Sequence, residues 1–147
     1  MELSNLMDKA LKMLPTDTDW AIYIQGDELF HDADYPAIKN AMKIYQHDSA
    51  VEGLLFNYLH FYGSYSFVAA SYVWYPKEIR IVKYNPSVYS YKDAQGFRKG
   101  DNVKLCVAQI DATVYHYGNV RPPKVMQEKF QNSSKFYHDD EWVKEAF

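Results

Sequence analysis

Apolar residues near the N-terminus recur at steps of three and four, which is the spacing of one face of an α-helix. Pro15 ends this pattern, so we predict an amphipathic helix before it. The apolar positions are Leu3, Leu6, Met7, Ala10, Leu11 and Leu14. After the polar turn "TDTD", the run from Trp20 to Ile24 is apolar throughout and predicts a short buried strand.

A second helix is predicted to begin at Asp34, because aspartate is a preferred N-cap residue and Pro36 fits the first helical turn. Its apolar stripe is Ile38, Ala41, Met42 and Tyr45. The chain between the first strand and this helix is acidic, and we predict it to be a loop.

Two further strands are predicted in the second half of the chain. In residues 78–84, "EIRIVKY", apolar and charged residues alternate. This alternation places Ile79 and Ile81 on one face of the strand. It places Glu78 and Arg80 on the other. Residues 105–118 form the second strand, and the residues expected to share one of its faces are Ile110, Ala112, Val114 and His116.

One long uncharged segment requires a choice between a strand and a membrane span. Residues 53–75 contain no Lys, Arg, Asp or Glu, and this length suffices for a transmembrane helix. The polar groups of Asn57, His60 and several serines and tyrosines would be costly in lipid. We therefore predict two strand-like pieces with a turn near Gly63 and Ser64, the first over residues 51–62 and covered on both faces. Peripheral contact with a membrane stays open.

The C-terminal part is predicted to be helical. One helix begins at Pro122 and Pro123 and runs toward Tyr137, and a last short helix is capped by Asp139 or Asp140. The order of helices and strands, with 48% hydrophobic residues and no repeat or linker, predicts one mixed α/β domain over residues 1–147.

Charge and cysteine content narrow the class of protein. The net charge is −3 and no basic block is present, which argues against nucleic acid as a partner. Cys106 is the single cysteine, so no intrachain disulfide forms, and its apolar neighbours predict a buried position. The N-terminus lacks the features of a secretion signal, and a cytoplasmic protein is the simplest expectation.

Acidic residues follow the first strand directly. Ligands of open α/β sheets bind beyond the carboxyl ends of strands, and Gln25, Gly26, Asp27 and Glu28 occupy that position. A carboxylate there can bind a hard divalent cation that bridges a diphosphate. Alternatively, these acids only solvate a loop and favour the N-terminus of the next helix. The spacing leaves both interpretations open.

His116 ends a predicted strand next to a glycine, in "ATVYHYG". Imidazole suits transition metals such as manganese better than calcium. His116 is a candidate ligand only if the fold brings it near Asp27, and otherwise a hydrogen-bonding surface residue. The phosphate-binding, dinucleotide-binding, serine-hydrolase and zinc-peptidase motifs are absent from the sequence, which gives those classes of enzyme no support.

Six consecutive blocks of the chain resemble the later half of family-two glycosyltransferases of the GT-A type. They are "DWAIYIQGDELFH", "VEGLLFNYLHFYGSY", "WYPKEIRIVKYN", "SYKDAQGFRK", "VYHYGNVRPP" and "YHDDEWV". The resemblance implies a partial, Rossmann-like GT-A mixed sheet with flanking helices. It also implies transfer of a sugar from a nucleotide-diphosphate donor to an acceptor hydroxyl, with Mn²⁺ or Mg²⁺ as cofactor.

The resemblance assigns roles to individual residues. Gln25, Gly26 and Asp27 stand at the family's Asp-x-Asp signature, so Asp27 would bind the metal. Gln25 replaces the first aspartate and would make a neutral hydrogen bond near the ribose or a metal-bound water. His116 matches a late histidine that binds the metal or diphosphate in many relatives.

Three further assignments concern the rest of the site. Arg80 is expected either to contact a phosphate or to form a structural ion pair with Glu78. Asp93, in "YKDAQGF", is the expected catalytic base. Trp74 and Tyr75 would either stack on a sugar or pack in the core.

Relatives carry nucleotide-binding βαβ units before the region that this chain resembles. We therefore expect a truncated glycosyltransferase with weak nucleotide affinity and an exposed sheet edge that favours a homodimer. The expected acceptor is a saccharide or lipid-linked sugar in cell-surface polysaccharide synthesis. A non-catalytic sugar-binding or assembly module is the alternative, and a metal-dependent hydrolase using Asp27 and His116 is a weaker one.

Overall fold

A computed structural model of the chain describes residues 2–69, 74–92, 95–122 and 124–126. The helices in this part are α1 (Glu2–Lys12) and α2 (Tyr35–Tyr45). The strands are β1 (Trp20–Ile22), β2 (Glu28–Phe30), β3 (Gly53–Tyr62), β4 (Lys77–Lys83), β5 (Val88–Tyr91), β6 (Gly96–Lys99), β7 (Val103–Lys104) and β8 (Val107–Asn119). The fold is mixed α/β, as the sequence predicts.

Within the described residues, the main sheet has five strands in the order β1-β4-β3-β8-β2. Only the β3–β8 pair is parallel among its neighbours, so the sheet is mixed. Its two edge strands, β1 and β2, are joined by residues 23–27 alone. A flat sheet separates such edges by about 19 Å, at roughly 4.8 Å between neighbouring strands. Instead, the sheet curls and brings its edges toward each other.

Each face of the sheet carries its own apolar core. On one face, Ile38 and Ala41 of α2 pack against Phe56 and Val114. Met7 of α1 belongs to a second cluster. The other buried members of that cluster are Ala21, Val82, Phe97 and Leu105. The buried apolar side chains of β3, which are Leu54, Phe56 and Tyr58, all belong to the cluster under α2. The alternate residues Leu55, Asn57 and Leu59 are half-buried, so the predicted cover on both faces of β3 is only partial.

A β-bulge in β4 makes one of the sequence predictions wrong. Leu54 pairs with Ile81, but the next residue, Leu55, pairs with Ile79, which leaves Arg80 as an extra residue in β4. The bulge breaks the alternation of side chains. Ile81 therefore joins the core under α2, whereas Ile79 packs against the core under α1.

The acidic segment is not entirely a loop. Glu28–Phe30 form β2, which pairs with β8 at the sheet edge. A strand of three residues has no pattern of its own, so its pairing partner decides that it forms. The small sheet β5-β6-β7 was likewise not predicted. The expectation for Cys106 is wrong, because Cys106 is exposed and the preceding Leu105 takes the buried position.

The turn after β3 matches the prediction. Gly63 adopts φ +70°, a conformation that glycine takes without steric cost. The chain then returns to form a single bridge between Phe61 and Val68. Residues 53–62 are thus a strand, and no helix in the described part of the chain has the length and apolar character to cross a membrane.

At the C-terminus, residues 124–126 are helical, close to the predicted start at Pro122 and Pro123. The predicted continuation toward Tyr137 and the cap at Asp139 or Asp140 lie outside the described residues.

Two phenylalanines test the position of the core. Phe56 is 0% exposed and Phe67 is 70% exposed. Phe56→Ala should lower the free energy of unfolding by about 3–5 kcal/mol, because it removes packed apolar surface and leaves a cavity. Phe67→Ala should change it by less than about 0.5 kcal/mol. Urea denaturation of both variants checks this, and equal losses would contradict the described core.

Candidate functional site

Three polar residues form a row across neighbouring strands. In the register of the sheet, Glu28 of β2 lies opposite His116 of β8, and His116 lies opposite His60 of β3. Directly opposed residues of paired strands project to the same side of a sheet. The row therefore collects a carboxylate and two imidazoles at one place, from positions far apart in sequence.

Glu28 is buried and forms a bidentate ion pair with Arg80 of β4. Arg80 Nε donates to Glu28 Oε2 at 2.8 Å, and Nη2 donates to Oε1 at 2.7 Å. The Tyr58 hydroxyl also donates to Glu28 Oε1. Burial alone would raise the pKa of Glu28, but the Arg80 guanidinium and the Tyr58 hydroxyl hold that pKa below its ordinary value. Glu28 is therefore an anion inside the protein.

Arg80 is held by contacts within the protein. Its third nitrogen, Nη1, donates to the backbone oxygen of Ile79 at 3.0 Å and lies 3.8 Å from Glu78 Oε2. The side chain is fully buried, with the Tyr23 and Tyr58 rings beside it. The expected structural ion pair is present, and its main partner is Glu28 rather than Glu78. A contact of Arg80 with a phosphate stays a prediction.

Asp27 lies in the turn that leads into β2. The Glu28 amide donates to the Gln25 carbonyl at 3.0 Å, and the Tyr117 amide donates to the Asp27 carbonyl at 2.8 Å. The first bond closes the turn, and the second joins the turn to β8. Asp27 Oδ2 then lies 3.5 Å from His116 Nε2. The side chains are 38% and 13% exposed, so solvent reaches the pair. The structure thus brings together the two residues expected to bind a metal.

Gly118 lets this pair lie close against the backbone of β8. A Cβ atom at position 118 would overlap Asp27 Oδ2 and would stand 2.6 Å from His116 Nε2. The register between β3 and β8 also shifts by one residue between His116 and Asn119. A glycine at such an irregularity permits close approach of other groups to the backbone. Any other residue here would displace the carboxylate and the imidazole.

His60 supports His116 from within the protein. His60 Nδ1 is 3.2 Å from His116 Nδ1, and His60 Nε2 is 3.2 Å from the Tyr75 carbonyl oxygen. Burial and the neighbouring His116 lower the pKa of His60 to about 4. His60 is consequently neutral at physiological pH. Trp74 and Tyr75 pack on its ring, with centroids 4.7 Å away in each case.

The roles expected for Gln25 and Asp93 stay predictions. The Gln25 side-chain amide donates to the Tyr23 hydroxyl at 3.2 Å, and a role of Gln25 near a ribose stays a prediction. Asp93, the expected base, lies outside the described residues.

Asp27 and His116 could together hold a divalent cation. Two ligand atoms about 2.1 Å from one ion stand roughly 3.0–3.5 Å apart at the usual coordination angles, and the observed separation is 3.5 Å. Within the described ranges, no group of three or more His, Cys, Asp or Glu side chains is arranged for metal binding. A site with two protein ligands suits an ion that takes its other ligands from water and phosphate oxygens.

Two residues of this site are not predicted from the sequence. Glu28 is one of several acids in a predicted loop, and His60 is one of several polar residues in an uncharged segment. An available signal for Glu28 was Arg80, because an arginine inside an apolar strand requires a carboxylate partner. The position of His60 has no comparable signal, since a neutral imidazole inside a strand does not require a partner of opposite charge.

A scan of the chain against protein-family models finds no match, and a search of curated proteins finds no significant match either.

The Glu28–Arg80 pair should dominate local stability. Arg80→Met would leave the Glu28 carboxylate buried without its cation and should cost about 3–5 kcal/mol. Lys99→Met, in the partly exposed pair with Glu52, should cost less than about 1 kcal/mol. The double variant Glu28→Gln, Arg80→Met should recover part of the loss, because no buried charge remains. Equal costs for Arg80→Met and Lys99→Met in urea denaturation would contradict the burial described.

Glu78 should make stability depend on pH. Burial raises its pKa to about 7 from an ordinary value of 4.5, against the opposing charge of Arg80. Between these values the folded protein holds a proton that the unfolded chain has released, so stability is lost as the pH rises toward 7. The stability of Glu78→Gln relative to wild type should increase by roughly 1–3 kcal/mol from pH 5 to pH 8.

Urea denaturation at pH 5, 6, 7 and 8 measures this difference. Glu52→Gln is the control: the pKa of Glu52 is lowered despite some burial, by Lys99 and the Cys106 amide, so its carboxylate stays ionised over the range. Parallel profiles for wild type and Glu78→Gln would show that Glu78 is ionised throughout.

Proposed function

We propose that the chain is part of a glycosyltransferase that uses a nucleotide-diphosphate sugar and a divalent cation. The observation that supports this most is the approach of Asp27 Oδ2 to His116 Nε2 at 3.5 Å, with both side chains packed against Gly118. The sequence blocks that resemble family-two glycosyltransferases assign these same two residues to the metal. Geometry and resemblance therefore favour the same site.

The proposed roles follow from the contacts. Asp27 and His116 would hold Mn²⁺ or Mg²⁺, which supplies positive charge to stabilise the departing diphosphate. The Glu28–Arg80–Tyr58 cluster fixes β2 and thereby the turn that carries Asp27. Asp93 is proposed to accept the proton of the acceptor hydroxyl. Gln25 is proposed to contact the donor near its ribose.

We also propose that the mixed α/β fold is a partial, Rossmann-like GT-A domain. A mixed sheet with an acidic turn after β1 and a histidine late in β8 is compatible with the later part of a GT-A domain. The homodimer proposal is supported by β1, an edge strand in the described part of the main sheet, where Ile22 is exposed. A monomer in size-exclusion chromatography across a dilution series would contradict the dimer alone.

Binding of Mn²⁺ in the presence of UDP or GDP tests the proposed site. Mn²⁺ titrations followed by electron paramagnetic resonance should show binding that is strengthened by the nucleotide diphosphate, because the pair leaves coordination positions for phosphate oxygens. Asp27→Ala should weaken this binding by at least about 10-fold. Gly118→Ala should do the same, since its methyl group fills the space between the ligands.

Asp32→Ala is the matched control, because Asp32 is an exposed acid of the same segment and lies outside the pair. Circular dichroism establishes that each variant is folded. Nucleotide-dependent Mn²⁺ binding that survives in Asp27→Ala would contradict the proposal. Binding of saccharides without nucleotide or metal would instead support the sugar-binding module, for which the exposed rings of Tyr65 and Phe67 offer stacking surfaces.

A further inference from the structure

His60 is placed to control which nitrogen of His116 carries a proton. It is 3% exposed, and both of its ring nitrogens face defined partners. Nε2 faces the carbonyl oxygen of Tyr75, and Nδ1 faces Nδ1 of His116, each at 3.2 Å. Its ring is packed between Tyr58, Trp74 and Tyr75, at centroid distances of 4.6–4.7 Å. The imidazole is therefore held in one orientation.

The partners determine the positions of the protons. A carbonyl oxygen only accepts hydrogen bonds, so His60 Nε2 must be the donor to Tyr75. A neutral imidazole has one N–H group, which leaves His60 Nδ1 as an acceptor. The facing nitrogen, His116 Nδ1, must then carry the proton of that hydrogen bond.

This assignment leaves Nε2 as the nitrogen through which His116 can bind a cation. His116 Nε2 is the atom that lies 3.5 Å from Asp27 Oδ2. Without an acceptor at His60, the Asp27 carboxylate would favour a proton on Nε2 instead, since a carboxylate accepts hydrogen bonds. A proton on Nε2 would block the atom needed for the metal.

We propose that His60 is a positioning residue, which holds the proton of His116 on Nδ1 and directs Nε2 into the site shared with Asp27. The part of this inference that concerns metal affinity rests on the proposed function. The part that concerns the tautomer does not. Hydrogen-bonding partners of metal-binding histidines typically change metal affinity by about 10- to 100-fold.

The first experiment uses the metal-free wild-type chain. Long-range ¹H–¹⁵N correlation spectra distinguish protonated from unprotonated imidazole nitrogens. At pH 7.5 we expect His116 to be protonated at Nδ1 and His60 at Nε2. Single substitutions assign the signals. A His116 signal with the proton on Nε2 alone would overturn the inference, and this outcome does not depend on any metal or on the stability of a variant.

The second experiment uses variants of His60. His60→Phe keeps a ring of similar size but removes the acceptor, whereas His60→Asn retains an acceptor oxygen near the former Nδ1. We expect His60→Phe to weaken Mn²⁺ binding in the presence of UDP or GDP by about 10- to 100-fold and to shift the His116 proton toward Nε2. His60→Asn should recover most of the affinity. His47→Phe, at an exposed histidine outside the site, is the control.

The outcomes separate the two proposals. If His60→Phe folds and leaves both the His116 tautomer and the Mn²⁺ affinity unchanged, the positioning role is wrong while the proposed function stands. If wild type binds no Mn²⁺ but shows His116 protonated at Nδ1, with loss of that state in His60→Phe, the proposed function fails. In that case the tautomer control is retained.

Discussion

The buried ion pair between Glu28 and Arg80 is the interaction on which the site depends. It joins β2 to β4, which are separated by two strands in the sheet, and it does so across the curled face where Tyr58 also donates to Glu28. A three-residue edge strand has little stability of its own. The bidentate pair and the ladder with β8 together hold it, and Asp27 directly precedes it. A surface residue is thus positioned by a charge pair inside the protein.

The bulge in β4 and the curl of the sheet both bring Arg80 within reach of Glu28. The bulge takes Arg80 out of the regular alternation. A bulge re-aims a side chain and increases local twist, and both effects are needed for an arginine of one strand to reach a carboxylate at the far edge. Burying two charges is costly, and the cost is offset only when every donor and acceptor is satisfied. Here Glu28 accepts from Arg80, from Tyr58 and from the Gln25 amide.

The polar residues of the site differ in charge state and in exposure from the interior outward. Glu28 is an ionised group paired inside the protein, His60 is kept neutral by burial, and the Asp27–His116 pair meets solvent. Neighbouring groups thus set the protonation states of Glu28 and His60, while the outermost pair stays accessible to a ligand. Rigid inner residues that orient outer ones are the usual construction of a metal or substrate site.

Local patterns in the sequence were enough to predict α1, α2, β3 and the long strand β8, because each carries apolar residues at the spacing of a helix or in a strand-length run. The acidic exit of β1 and His116 were also recognisable as candidates for chemistry. Local patterns did not predict the faces of Ile79 and Ile81, the strand at Glu28 or the exposure of Cys106. These depend on which strands pair and in what register, and that is decided by contacts between residues distant in sequence. The pairing of Asp27 with His116 and of His116 with His60 has the same origin, so only the tertiary structure could place them together.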